Sequence, residues 1–208
     1  NKALISLDNK PIISHIINSF DSKIEFVIAL GFLGDQVRSY LKLAHPKNKF
    51  NFVYVDKFLN QGSGYSLLKC KKHLLTPFIH TTCDSYFLGK LPQPSYNWMG
   101  YGESPDIKNY RSINIKYNKI YSINDKARHN THSKAYIGIS GIYNYDLFWK
   151  NMNKNIKKTI KTGEIQGLNL LLTKEEILPR KINWNDIGTL DNLKKTRAKY
   201  KSKNKFNI

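Results

Sequence analysis

Along the first part of the chain, stretches with apolar residues three and four apart alternate with short, continuous apolar runs. That is the pattern of helices and strands taking turns. Residues 2–7 read as a strand. Lys10-Pro11 opens a helix, since proline suits a first helical turn, and Ile12, Ile13, Ile16, Ile17 and Phe20 form one apolar stripe. Residues 26–30 are continuously apolar and end at Gly31, as in a buried parallel strand. Gly34-Asp35 starts a second helix through Val37, Tyr40, Leu41 and Ala44, and residues 51–55 make the next strand. The turn Gln61-Gly62-Ser63-Gly64 leads into a third helix carrying Leu67, Leu68, Leu74 and Leu75. Residues 77–81 are a strand, with Asp84 just past its carboxyl end. This order predicts βαβ crossovers and a mostly parallel sheet.

The middle loses its period. Residues 88–105 hold three prolines and read as loop. Residues 110–115 and 119–123 flank Tyr117-Asn118 as a hairpin. Residues 135–143 are a strand with glycines where backbone or ligand approaches closely. Residues 146–152 and 165–172 are helical, residues 182–184 are a last short strand, and Thr189 caps the helix that follows. A basic run over residues 194–205 continues a solvated helix or leads onward.

Composition narrows the class. The chain has 208 residues, 40% of them apolar and 12% aromatic, enough for one sizeable domain with a real core. No apolar run approaches the length of a membrane span, and secretion is not expected. Cys70 and Cys83 form neither a disulfide framework nor a metal-ligand spacing, so both are expected as free thiols in a reducing cytosol. The first residue is Asn1, and further residues are expected upstream. A formal charge of +19 attracts phosphates, nucleic acid or anionic membrane. The alternative is compositional, because Asn, Ile and Tyr are abundant alongside Lys.

Against that charge, two aspartates stand out. Asp84 and Asp186 each follow a short β-like segment, where open α/β sheets place their ligands. Each alone reads first as a turn-forming residue. Together, in a basic chain, they suit a shared Mg²⁺, which takes one or two carboxylates plus substrate phosphates and water. The Gln61-Gly62-Ser63-Gly64 turn lacks the spacing of a P-loop or dinucleotide motif; it either brings backbone amides to a base or phosphate or is a plain turn. Lys126, Arg128, His129, His132 and Lys134 form either an anion subsite or a solvated loop. A zinc site is not supported there, since no third soft ligand is near.

The order of these pieces resembles the sugar-phosphate nucleotidyltransferases of the NDP-sugar pyrophosphorylase type. The family's PKALLPVxGKPLI opening is matched by residues 2–13, and its "vialGYlgdqi" segment by residues 27–37. Its GTAGAL turn corresponds to residues 62–67, its "GD" to Cys83-Asp84, its "EKP" to Asp125-Lys126, its "GiY" to Gly141-Ile142-Tyr143 and its "DiGT" to Asp186-Ile187-Gly188-Thr189. Two departures are plain. The family's GxGxR segment belongs before Lys2 and is not among these residues, and Asp125-Lys126-Ala127 replaces Glu-Lys-Pro.

The resemblance implies a three-layer α/β/α Rossmann-like, glycosyltransferase-A-like fold with a mostly parallel mixed sheet. It implies one domain, with an NTP-binding part over about residues 1–90, an acceptor-binding part over about 91–190, and a basic tail over about 191–208. The implied activity transfers NMP from an NTP to a phosphorylated acceptor, with release of pyrophosphate. Asp84 and Asp186 are the implied Mg²⁺ ligands, with Lys2 on the NTP phosphates and Lys126 on the acceptor phosphate. Gln61, Gly62 and Ser63 are the implied nucleotide contacts, and Gly141 leaves room for the acceptor. A sugar 1-phosphate is the first acceptor expected, serving activated-sugar or surface-polysaccharide synthesis. Phosphocholine with CTP is the alternative, and a non-catalytic nucleotide-binding relative is another. No helix-turn-helix, zinc finger or ribonucleoprotein motif supports a nucleic-acid partner. A cytoplasmic location is expected, and homo-oligomerisation is left open.

Overall fold

The computed structural model describes residues 1–104 and 106–204, with side chains as far as Lys199. Pro105, which closes the middle stretch, and the part of the basic tail beyond these limits lie outside the described residues.

The opening residues differ from a simple strand. Residues 2–4 form a 3-10 turn because the Asn1 side chain accepts the Ala3 N–H at 2.9 Å. Extended backbone is then confined to β1 (Ser6–Leu7), which pairs with β2 (Lys10–Pro11) across Asp8 and Asn9, both at positive φ. Pro11 stands immediately before α1 (Ile12–Asn18), whose Ile12, Ile13, Ile16 and Ile17 are buried. Next come β3 (Glu25–Leu30), α2 (Gly34–Ala44) and β4 (Lys49–Tyr54), and β3 and β4 pair in parallel as a βαβ unit requires. Leu30, Val37 and Leu41 pack there against Ile13 and Ile17 from α1. α3 (Ser63–Cys70) stops short of Leu74 and Leu75, since Lys71–His73 turn as a 3-10 segment with no buried residue. Cys70, in its last turn, is a buried thiol raised by burial to about 11.

From there the chain builds a sheet that is richer in antiparallel ladders than helix–strand alternation suggests. β5 (Phe78–Thr81), β6 (Ser85–Leu88), β7 (Trp98–Gly102), β8 (Ser112–Lys116), β9 (Lys119–Asn124) and β10 (Lys134–Ile142) follow one another. β10 pairs antiparallel with β5, β7 and β8. Three helices come next, α4 (Tyr145–Lys154), α5 (Ile156–Thr162) and α6 (Ile165–Lys174). β11 (Leu178–Lys181) then joins β7 in parallel, β12 (Asn183–Asp186) joins β6 antiparallel, and α7 (Leu190–Asn204) follows. The sheet is therefore mixed, in the order β11-β7-β10-β8-β9 with β5 also on β10.

The stretch expected as loop contains β7. Its Trp98 and Met99 are fully buried, although prolines at 92 and 94 mask the pattern upstream. The hairpin is as expected: Tyr117 and Asn118 both take positive φ between β8 and β9. Side chains of α4 and α6 (Phe148, Met152, Leu168, Leu171) pack against Tyr136 and Ile142 on one side of β10. Ile137 and Ile139 meet Phe87, Trp98 and Ile182 on the other. None of the described helices is long and apolar enough to cross a membrane.

Candidate active site

Asp84 occupies the tight turn between β5 and β6, and Asp186 is the last residue of β12. The strand before Asp84 pairs antiparallel with β10, so the parallel-strand reasoning does not apply to it. A different ladder does the work. β6 and β12 run antiparallel with Asp186 opposite Ser85, and the Ile187 N–H donates to the Asp84 carbonyl at 3.1 Å. The two aspartates are thereby neighbours in space although far apart in sequence.

Gly188 stands at their junction. A Cβ there would lie 3.1 Å from Asp186 Oδ1 and 3.6 Å from Asp84 Oδ2, so any side chain would press between the two carboxylates. Lys2 Nζ donates to the Gly188 carbonyl at 2.9 Å. Lys2, Asp84 and Asp186 therefore form one corner: two acids and one cation.

Asp186 is held by dedicated donors. Its Oδ2 accepts from the Tyr110 hydroxyl at 2.5 Å and from Asn192 Nδ2 at 2.6 Å. Its Oδ1 accepts the Gly188 N–H at 2.7 Å. Burial, and then the bond to Asp186, push the Tyr110 phenol well above its ordinary pKa, so it stays a donor throughout the neutral range. The Tyr110 ring meets Trp184 edge-on at 5.3 Å, which fixes its approach. Thr189 accepts the Asn192 N–H at 3.2 Å, the cap expected for α7. Sequence reasoning missed both Tyr110 and Asn192. Asn192 could have been found, since it stands three residues after the capping Thr189. Tyr110 carries no local signal.

Among the described residues no side chain donates to the Asp84 carboxylate, and no group of three or more His, Cys, Asp or Glu could hold a metal. Two neighbouring carboxylates without a third acidic or soft ligand are instead the donor set of a hard cation that keeps water or phosphate in its other positions. By that chemistry the corner fits Mg²⁺ and does not fit zinc.

The glycine expectations fare differently. A Cβ at Gly62 would overlap the Ile160 carbonyl, and one at Gly64 the Thr159 carbonyl, both in α5. Helix packing alone thus demands these glycines, although Gly62 and Ser63 stay exposed on their other side and Gln61 is half-buried. Gly141 is demanded by packing as well. Its Cβ direction is filled by the Trp98 indole, stacked there because Gly141 lies opposite Trp98 in the β7–β10 ladder.

Lys126 is exposed on the turn after β9. That turn is pinned by the Ala127 N–H on the Lys108 carbonyl (3.0 Å), the Arg128 N–H on the Asp125 carbonyl (3.0 Å) and an Arg111–Asp125 ion pair at 3.7 Å. Lys126 forms no ion pair among the described residues. His129 and His132 are exposed beside it.

No family model matches the chain. Two archaeal proteins named bifunctional protein GlmU are 24% identical to it. The one from Methanococcus vannielii aligns over 199 residues, 90% of this chain and 47% of its own length. The one from Methanococcus maripaludis aligns over 205 residues, 90% of this chain and 46% of its own length. The chain thus spans about half the length of the curated relatives it matches. Among solved structures, a protein described as a glucose-1-phosphate thymidylyltransferase from Bacillus anthracis superposes with a TM-score of 0.80 at 19% identity, covering 95% of this chain and 85% of that one. A UDP-glucose pyrophosphorylase in complex with UDP-glucose gives 0.77 at 14% identity, covering 97% and 90%. The CTP:phosphocholine cytidylyltransferase of Streptococcus pneumoniae gives 0.74 at 17% identity, covering 95% and 88%. The chain has the Rossmann-like α/β fold shared by these sugar-phosphate nucleotidyltransferases and their cytidylyltransferase relative.

Proposed function

We propose that this chain transfers a nucleoside monophosphate from an NTP to a phosphorylated small molecule, in the first instance a sugar 1-phosphate, releasing pyrophosphate. The observation that carries this reading is the corner at Gly188, where Lys2, Asp84 and Asp186 converge and Asp186 is held by Tyr110, Asn192 and its own chain. Three bonds to one carboxylate fix its direction, and a fixed anion is what a metal–phosphate site requires.

Asp84 and Asp186 would hold Mg²⁺, which when bound supplies charge neutralisation on the reacting phosphates. Lys2 adds a positive charge on the same corner and serves the NTP phosphates. Tyr110, kept protonated, and Asn192 hold the Asp186 carboxylate in its working orientation. The exposed side of the turn at Gln61, Gly62 and Ser63 presents polar groups to the nucleotide. Lys126 meets the acceptor phosphate from its exposed turn. Transfer itself is then positioning and electrostatics, with no covalent intermediate on the protein. In this reading residues 1–90 form the nucleotide side, residues 91–190 the acceptor side, and the basic tail lies outside the chemistry. The proposed NTP donor puts the enzyme in the cytoplasm.

A second reading, a cytidylyltransferase for a small non-sugar phosphate, is favoured by the similarity to the phosphocholine enzyme. One experiment separates the two. Pyrophosphate release is screened with four NTPs against glucose 1-phosphate, other hexose 1-phosphates and phosphocholine, with and without Mg²⁺. Release that needs Mg²⁺ and a sugar 1-phosphate supports the first reading, and release with CTP and phosphocholine alone supports the second. No release with any pair overturns both.

A further inference from the structure

The acceptor side of the candidate site holds more positive charge than one phosphate explains. In the reading above, Lys2 serves the NTP phosphates and Lys126 the phosphate of the acceptor. Arg111 and Arg128 are left over, and Asp125 is the one acid of the turn between them. Arg111 connects the two parts of the site. It directly follows Tyr110, whose hydroxyl donates to Asp186 at 2.5 Å. Its own Nε stands 3.7 Å from Oδ1 of Asp125, the residue before Lys126. One position further on, the buried Ser112 hydroxyl donates to the Arg128 carbonyl at 3.0 Å. Both arginines are thus tied to one short stretch of chain that also grips the metal corner.

Arg111 is poorly served where it stands. Its side chain is only 27% exposed, while that of Asp125 is 72% exposed. A separation of 3.7 Å is an ion pair without a hydrogen bond, and the guanidinium donates to no other described residue. On the core side it acts on the Tyr136 phenol against burial and Glu164, which raise that group, yet it forms no ion pair with Glu164. A guanidinium carries five N–H donors, and a half-buried one ordinarily spends them on a carboxylate or phosphate in fork geometry. Arg180 Nε is shut in without a partner, but no nitrogen of Arg111 is, so its unused donors reach open space.

The turn beside it has an unusual shape. Ala127 takes a φ of +64°, and its N–H donates to the Lys108 carbonyl at 3.0 Å. Alanine seldom adopts such backbone, and a proline could take neither that angle nor that bond. This turn is therefore built differently from the Glu-Lys-Pro it replaces, and strain of this kind persists only where the surroundings impose it. We infer that Arg111 and Arg128 form a second anion subsite, and that the acceptor carries a further anionic group, a carboxylate or a second phosphate, away from the phosphate that attacks. Either oxygen anion matches the Arg111 fork and displaces Asp125 as its resident counter-ion. The inference rests on the nucleotidyltransferase reading for the word acceptor, but the preference for a doubly anionic ligand is measured apart from turnover.

The test is calorimetric binding of glucose 1-phosphate, glucuronic acid 1-phosphate and glucose 1,6-bisphosphate to the whole chain, with Mg²⁺ and each of four non-hydrolysable NTP analogues present. Pyrophosphate release is measured beside it with the four NTPs, the same acceptors and phosphocholine. At least one doubly anionic ligand should bind about tenfold or more tightly than glucose 1-phosphate, the worth of hydrogen bonds to a charged group. Arg111→Ala should cut that preference about tenfold, and Arg111→Lys, which keeps the charge and loses the fork, should cut it less. Asp125→Asn should enlarge the preference by removing the resident counter-ion, which loss of a purely structural ion pair would not do. If Arg111→Ala does not fold, the other two variants decide. Equal binding of all three ligands, a preference that no variant changes, or a loss shared equally by all three overturns the inference. The shared loss would give Arg111 to the attacking phosphate or to the general positive field. No binding of any of the three also overturns it, and release with phosphocholine would then leave the nucleotidyltransferase reading standing. A preference that the variants change, with no pyrophosphate released from any NTP, keeps the subsite and removes that reading.

Discussion

The Gly188 corner and the Gly62–Gly64 turn both match sequence motifs of nucleotide chemistry, yet the molecule treats them differently. At the turn, the backbone of α5 already occupies the space that a side chain at Gly62 or Gly64 would need. At the corner, the space in front of Gly188 is bounded by two carboxylates and a lysine. One of those carboxylates has three donors assigned to it. A glycine explained by packing says nothing further about ligands. Acids gathered in a basic chain and fixed in direction have no such structural excuse, since like charges at close range oppose folding. The account therefore rests on the corner.

The comparison is broken most severely by altering the corner itself. Asp84→Asn should lower pyrophosphate release by a hundredfold or more, on the order of several kcal/mol of transition-state stabilisation. Its melting temperature should hold or rise, because one of two neighbouring acids is gone. Near-wild-type turnover would reduce Asp84 to a turn residue. Next in size are Gly62→Ala and Gly141→Ala. Each forces a methyl into backbone or indole, and should destabilise the fold by about 1–3 kcal/mol in denaturant titrations. Gly141→Ala should leave kcat per folded molecule near wild type. A selective loss of acceptor binding without destabilisation would assign Gly141 to the acceptor as well as to the packing of Trp98.

Smaller effects sharpen the picture. Tyr110→Phe removes one of two donors to Asp186 Oδ2 and should cost roughly tenfold in kcat, the worth of one bond to a charged group. Lys126→Ala should raise the acceptor KM and spare the NTP KM. A loss shared by both substrates and mimicked by salt would make Lys126 part of the general field, which is screened over about 8–10 Å. The smallest effect belongs to His45, whose Nε2 lies 2.8 Å from the Ser14 hydroxyl. Burial, and then Lys10, lower its pKa below the ordinary imidazole value of 6.5. The unfolded chain thus binds the proton more readily, so this stabilisation is complete above 6.5 and fades as pH falls through the folded value. Melting curves on either side of that pH should show wild type losing slightly more stability on acidification than His45→Gln.

What the sequence disclosed follows the range of the interactions involved. The parallel β3–β4 unit, the β8–β9 hairpin and the cap at Thr189 are local: apolar period, two turn residues and one hydroxyl suffice to reveal them. β7 and β11 were hidden because their apolar residues are few and prolines lie near, and only pairing with each other and with β10 makes them strands. In the same way Asp84 and Asp186 were legible as types and positions, while the antiparallel β6–β12 ladder that joins them was not. Tyr110 was invisible because its role depends on reaching a carboxylate 76 positions away. Gly141 was ambiguous because a missing side chain looks the same whether it admits a ligand or a tryptophan.

The most direct test of the central claim asks whether Asp84 and Asp186 act as a unit. A double-mutant cycle of Asp84→Asn and Asp186→Asn is measured on kcat/KM for Mg²⁺-dependent pyrophosphate release, with the best NTP–acceptor pair from the screen. If both carboxylates serve one cation, the double variant should be about as impaired as the worse single variant, because the first change already disables the site. Losses that simply add, or either single variant close to wild type, would contradict the account.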